Sequence, residues 1–175
     1  MFIAFKSHSL IMDQLLYRLI REGAMQKGSS NFRLRSGQSS DVYFDLKAIC
    51  GKNPEIRMEL ADRLYKRFQR GTTCVVGSGH GGIPLATTIS TLYSLKLTTI
   101  RDQRKDHGTE KLIEGHLPGI EDILAIVDDV FTSGSSLRET IGILRRETDA
   151  ERISCYVVIN RNDNGLGTLA LLPNN

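Results

Sequence analysis

The stretch LAIVDDVFTSGSSLRET, residues 124–140, decides how the chain is read. Four apolar residues run straight into Asp128 and Asp129. A loop of small hydroxyl residues and glycine follows, and then Leu137 opens a helical spacing. Backbone N–H groups of residues 132–136, at the start of that helix, can cradle a phosphate. The hydroxyls of Thr132, Ser133, Ser135 and Ser136 add donors around Gly134. Carboxylates repel phosphate, so Asp128 and Asp129 serve what a sugar phosphate presents next to it, namely vicinal hydroxyls and a nearby Mg²⁺. The pattern fits a ribose 5-phosphate. The plainer reading is a cluster of caps that only starts a helix. It explains the serines but not two consecutive acids leaving an apolar run.

Outward from this stretch the chain alternates. TTCVV predicts a strand, GIPLATTISTLYS a helix, KLTTI a strand and DILAIV a strand. Residues 135–147 predict a helix with Leu137, Ile141 and Leu144 on one face, and RISCYVVIN the last strand. Strands alternating with helices give an α/β fold, a central parallel sheet flanked by helices on both faces. Upstream, Leu15, Leu16, Leu19 and Ile20 mark a helix that Gly23 stops. NFRLRSGQSSDVYFDLK alternates around a Ser36-Gly37 turn and predicts paired strands. Asn53-Pro54 starts a helix carrying Ile56, Leu60, Leu64 and Phe68, which Gly71 ends. Ligands of such sheets bind at the carboxyl ends of the strands, where loops 77–82, 101–117 and 128–136 are expected.

At 175 residues the chain suits one domain. Its net charge of +3 suits small anions and does not by itself predict a nucleic-acid surface. Cys50, Cys74 and Cys155 lie far apart with no C-x-x-C pair, so neither a zinc site nor a disulfide framework is expected. The start shows no signal-peptide pattern, and no apolar run approaches ~18 residues. A reduced, cytoplasmic protein with neither membrane nor nucleic-acid partner is expected.

VVGSGHGGIPLA contains Gly77, Gly79 and Gly82, a formal G-x-G-x-x-G between strand and helix, and Asp102 lies 20 residues past Gly82. This is the outline of a dinucleotide site. Glycines admit any pyrophosphate to a helix N-terminus, however, so the motif does not name a dinucleotide. The polar, basic QRKDHG after Asp102 also replaces the short turn into a helix that such a site needs.

LAIVDDVFTSGSS closely resembles the phosphoribosyl-pyrophosphate (PRPP) signature of the type I phosphoribosyltransferases. IRDQRKDHGTEKLIEG resembles the mobile catalytic loop of the orotate phosphoribosyltransferases, and FRLRSGQSSDVYFDLK their base-binding segment. The resemblance runs from about residue 13 to 165. It implies one phosphoribosyltransferase domain over 1–175. Residues 1–11 would be a flexible N-terminus, with Met12 an alternative start. Residues 12–50 would form a small hood that binds the base, and 51–165 the PRPP-binding core.

The resemblance further implies that Asp128 and Asp129 hold the ribose hydroxyls and that Thr132, Ser133, Gly134, Ser135 and Ser136 hold the 5-phosphate. Gly77, Gly81 and Gly82 belong to the pyrophosphate-side loop. Arg101, Arg104, Lys105 and His107 approach the pyrophosphate from a lid, residues 101–117, that reaches the neighbouring subunit of a homodimer. Arg35, Tyr43, Phe44, Thr132 and Arg161 surround orotate. Lys105, His107, Asp128 and Asp129 are the catalytic set, and Mg²⁺ enters on PRPP with no direct protein ligand. The implied reaction joins orotate to PRPP, giving orotidine 5′-phosphate and pyrophosphate in UMP synthesis. The chain departs from the family pattern at Asp102, often basic, at Gly81, a lysine in some members, and at Arg35, usually lysine. It also ends soon after NRNDNG, so a C-terminal cap is expected to be missing. The alternatives are a phosphoribosyltransferase for another base such as a purine, a non-catalytic PRPP-sensing regulator that binds nucleic acid, and, more distantly, a dinucleotide-dependent oxidoreductase.

Overall fold

The computed structural model describes residues 14–33, 39–101, 112–161 and 167–172. The Ser36-Gly37 turn, residues 1–11 and Met12 lie outside them. The elements in chain order are α1 (Gln14–Arg21), β1 (Met25–Arg33), β2 (Ser39–Phe44), α2 (Leu46–Lys52), α3 (Pro54–Tyr65), β3 (Cys74–Gly77), α4 (Gly79–Tyr93), β4 (Lys96–Ile100), β5 (Ile113–Gly115), β6 (Ile123–Phe131), α5 (Ser135–Glu147), β7 (Arg152–Asn160) and β8 (Gly167–Leu172). β1 and β2 form a separate antiparallel pair, and the main sheet runs β5-β4-β3-β6-β7-β8.

The four inner strands are parallel, as the alternation predicts, and both edges are antiparallel. Each edge corrects an expectation. β7 is not the last strand, because β8 turns back along it. β5 takes residues 113–115 out of the expected 101–117 loop and pairs them with β4. Two helix boundaries also differ. α3 stops at Tyr65 rather than Gly71, and Phe68 follows in a turn where it packs against the Tyr156 ring at 4.6 Å. α4 begins at Gly79, so most of the expected 77–82 loop is helical.

Strand alternation divides the core between the two faces. Val75, Ala125, Val127, Tyr156 and Val158 join Leu60, Leu64, Leu85 and Ile89 of α3 and α4. Cys74, Val76, Leu124, Ile126, Cys155 and Val157 join Leu137, Ile143 and Leu144 of α5. Strands buried on both faces read as continuous apolar runs, as these do. All three cysteines are free and buried.

At the edge where the parallel strands begin, Asp122 ties four segments together. Its carboxylate accepts hydrogen bonds from Thr73 Oγ1 at 2.7 Å, Lys96 Nζ at 2.9 Å, His116 Nε2 at 2.8 Å and the Gly119 amide at 3.0 Å. Burial opposes its charge, but the bonds from His116, Lys96, Gly119 and Thr73 outweigh burial and hold the carboxyl well below the usual range. A depressed folded pKa contributes stability above the unfolded value near ~3.9 and loses it as pH falls below that value. Asp122→Asn is therefore expected to lower unfolding free energy at pH 7 by about 2–3 kcal/mol. Between pH 5 and pH 2.5 the variant should lose less stability than the wild type. Urea unfolding at the two pH values checks both statements.

Candidate active site

In a doubly wound sheet the binding crevice opens where successive crossovers leave to opposite faces. Here that point lies between β3 and β6: α4 leaves β3 for one face and α5 leaves β6 for the other. The Ser78 amide donates to Val127 O at 3.0 Å, so the chain leaving β3 is fastened to β6 just before the acidic pair. Two glycines permit this crossing. A Cβ on Gly82 would lie 2.1 Å from Val127 O, and one on Gly81 would lie 2.0 Å from Asp129 Cγ.

β6 continues through the two acids to Phe131 rather than ending before them. Asp128 is only 8% exposed. Its Oδ1 accepts from the Asp129 amide at 2.9 Å, and Asp129 Oδ1 accepts from the Val130 amide at 2.8 Å. The regular alternation breaks here: Val130 packs on the same side as Val127, and Phe131 on the other. Asp129 faces the α4 side, where Gly81 leaves it room. Burial raises its carboxyl above the ordinary range. Hydrogen bonds from Asp128 and from the Val130 amide, and the charge of Lys47, pull it down.

α5 starts after Gly134, a buried left-handed residue with φ 73°. Arg138 Nη2 donates to Ser133 O at 2.8 Å and Ser133 Oγ to Ser135 Oγ at 3.2 Å, which closes the preceding loop. A cavity of about 320 Å³ opens over these ends. Asp128, Asp129, Thr132 and Ser136 form its floor. Gly79, His80 and Gly81 form one side, and Tyr43, Phe44, Lys47 and Arg161 another. The Arg161 guanidinium lies 5.9 Å from the centre of the Phe44 ring, and its amide donates to Phe131 O at 2.9 Å. The Tyr43 ring packs on Phe32 at 5.6 Å.

Of the residues expected at the site, Asp128, Asp129, Thr132, Ser136, Gly81, Tyr43, Phe44 and Arg161 meet in this cavity. Ser133 and Ser135 are exposed beside it, and Gly134 is buried beneath. Gly77 and Gly82 serve the crossing and do not line the cavity. Arg101 lies in a neighbouring cleft of about 300 Å³ with Gly79, His80 and Thr99, ion-paired to Glu114. Arg35, Asp102, Arg104, Lys105 and His107 lie outside the described residues.

With the site in place, the comparisons with known proteins take on weight. The phosphoribosyl transferase domain profile matches residues 51–167. The orotate phosphoribosyltransferase of Pyrococcus abyssi is 34% identical over 156 residues, which cover 86% of this chain and 82% of that protein. The chain belongs to the orotate phosphoribosyltransferase family. Bovine uridine 5'-monophosphate synthase is 35% identical over 147 residues, but this chain spans only 29% of its length. Among solved structures, orotate phosphoribosyltransferase from Aeropyrum pernix superposes with a TM-score of 0.67 at 26% identity, over 85% of this chain and 82% of that one. The Leishmania donovani UMP synthase gives 0.70 at 26% identity, over 85% of this chain and 31% of that one.

Sequence reasoning missed Lys47 and Val130 as lining residues, while Gly79 and His80 fall inside the expected 77–82 loop. Asp45 carried the signal for Lys47. It caps α2 by accepting from the Ala48 amide at 3.1 Å, and a capping acid before LKAIC marks a helix start rather than the continuation of a strand.

The two glycine contacts differ in what must yield. Gly82→Ala meets a backbone carbonyl and is expected to lower the melting temperature by roughly 4–8 °C, the cost of overpacking in a chain this size. Gly81→Ala meets a side chain that can turn, and should melt within about 2 °C of wild type. Scanning calorimetry of both variants checks the crossing, and equal melting of all three proteins would contradict it.

Proposed function

We propose that the chain transfers the 5-phosphoribosyl group of PRPP to N1 of orotate, giving orotidine 5′-phosphate and pyrophosphate in UMP synthesis. The observation that carries this reading is the single cavity joining the acidic end of β6, the start of α5 and an aromatic-plus-arginine wall. The acids suit ribose hydroxyls, and the α5 start suits a 5-phosphate. Phe44 and Arg161 suit a flat base bearing a carboxylate, because guanidinium forks onto carboxylates and stacks on rings. The family membership of the chain supports the same substrates.

In the reaction, N1 of orotate bonds C1′ of the ribose as the C1′–O bond to pyrophosphate breaks and its electron pair stays on the oxygen. N1 gives its proton to the departing pyrophosphate. Positive charge builds on the ribose ring and negative charge on the leaving group, so catalysis is positional and electrostatic. Asp128 and Asp129 orient the ribose and favour the cationic ring. Thr132 and Ser136, with the amides of residues 132–136, anchor the 5-phosphate. Arg101, Arg104, Lys105 and His107 neutralise the pyrophosphate, and Arg35, Tyr43, Phe44, Thr132 and Arg161 hold the base. Mg²⁺, carried in by PRPP and steadied near Asp128 and Asp129, would neutralise further charge on the leaving group. Residues 12–50 act as the hood and 51–165 as the core, in a cytoplasmic enzyme.

A panel of free bases with PRPP and Mg²⁺, read by pyrophosphate release, tests the assignment. Orotate should be consumed while adenine, hypoxanthine and uracil are not. A preference for a purine overturns it.

The lid residues act across a twofold homodimer, so each site is built from both chains. Lys105→Ala and Asp129→Asn should each be nearly inactive alone. When the two mutants exchange subunits, about half of the dimers are mixed, and each mixed dimer holds one intact site. Activity should then recover to roughly a quarter of wild type. A mixture that exchanges subunits yet stays dead places the lid over its own chain's site.

A further inference from the structure

Among the described lining residues, the α4 side contributes Gly79, His80 and Gly81 and no lysine or arginine. Position 81 is glycine and supplies none, and a side chain there would first have to displace Asp129, whose Cγ would lie 2.0 Å from its Cβ. Across the cavity stands α2, whose Leu46, Ile49 and Cys50 are buried in the core. Lys47 lies between these anchors, exposed, and lines the cavity together with Gly81 and Asp129. The Asp45 cap fixes the turn that carries it. Charge effects run both ways across this gap: Lys47 lowers the Asp129 carboxyl, and Asp129 raises the Cys50 thiol on the same helix as Lys47. α2, through Lys47, and the acidic end of β6, through Asp128 and Asp129, line the same cavity.

Charge balance then gives Lys47 a task. Among the described lining residues two carboxylates face two permanent cations, Lys47 and Arg161. Arg161 is set over the Phe44 ring at the base end. Without Lys47 the described wall would carry net negative charge toward a substrate that is itself a polyanion.

We infer that Lys47 is a substrate-contacting residue whose ammonium binds the pyrophosphate group of PRPP on the α4 side of the cavity. This rests on the phosphoribosyl-transfer reading above. As the C1′–O bond breaks and its electron pair moves onto pyrophosphate, the ammonium meets more negative charge than in the ground state. Both binding and turnover therefore depend on it.

The test uses the full chain with Lys47→Met, Lys47→Arg and, as a control for lost surface charge on the same helix, Lys52→Met. Pyrophosphate with Mg²⁺ is titrated calorimetrically without any base, and KM for PRPP and for orotate is measured separately. Lys47→Met should weaken pyrophosphate binding and raise KM for PRPP about ten- to a hundredfold, the worth of one charged hydrogen bond. It should lower kcat and leave KM for orotate within about twofold. Lys47→Arg should restore most of the loss, and Lys52→Met should match wild type. The loss must persist at pH 8.5. Were Lys47 only a counterion to Asp129, removing it would shift the acid limb of kcat/KM to higher pH and pyrophosphate affinity would return at pH 8.5, which would overturn the proposal. A change confined to KM for orotate would overturn it too, by moving Lys47 to the base. Wild type that binds pyrophosphate but does not use orotate would sink the base assignment and leave Lys47 standing. Wild type active on orotate, with pyrophosphate binding unchanged in Lys47→Met, would sink Lys47 alone.

Discussion

The site depends on how closely the first turn of α4 passes the end of β6. Gly82 sits against Val127 O, the carbonyl that also takes the Ser78 amide. The buried Ser78 hydroxyl in turn shares a hydrogen bond with Thr140 of α5 at 2.8 Å. One crossing thus joins β3, β6, α4 and α5. It brings the starts of two helices, with their positive dipole ends, to the same strand ends. A side chain at position 82 would push α4 outward and open the floor of the cavity. Of the glycines that resemble a dinucleotide fingerprint, Gly77 and Gly82 are here demands of packing.

Much of this was legible in residues 124–140. The continuous apolar run predicts a strand buried on both faces, and β6 is one. The hydroxyl-rich loop predicts the start of α5, which falls at Ser135. What escaped was set by contacts distant in sequence. α2 spans seven residues, too short to show a 3.6-residue period, so its cap was the only local sign of it. The antiparallel edges are decided by which strand is left without a partner, a fact of the assembled sheet. α3 ends at Tyr65 because Tyr65 stacks on Tyr93 at 3.5 Å and Phe68 turns toward Tyr156, although the apolar spacing runs on to Phe68. Within the site, Arg161 came only from the family resemblance, whereas the acids, Thr132 and Ser136 were readable from residue type and spacing. Lys47 was not, since a lone lysine after an apolar stretch looks like solvated surface until the fold sets it opposite Asp129.

The two acids also show why a strand end suits the proposed chemistry better than a loop. Each carboxylate spends one oxygen on a backbone amide next to it in sequence, which helps fix its direction. Asp128 lies close enough to the α5 side to raise the Cys155 thiol, while Asp129 turns toward α4 and α2. Both acids line the same cavity, where on the proposed reaction they would take two neighbouring hydroxyls of one ring.

Burial makes the charged form of Asp129 costly, which raises its pKa. Hydroxyl donors from a bound ribose would return the hydrogen bonds that burial took away. By linkage, a ligand that stabilises the carboxylate binds better the more fully that group is ionised. On the proposed reaction, the same desolvation would strengthen the attraction between Asp129 and a ring acquiring positive charge, because little water would lie between them. Acids each bonded to the next backbone amide, beside a crossing that Gly82 keeps tight, would hold that field in place before the substrate arrives.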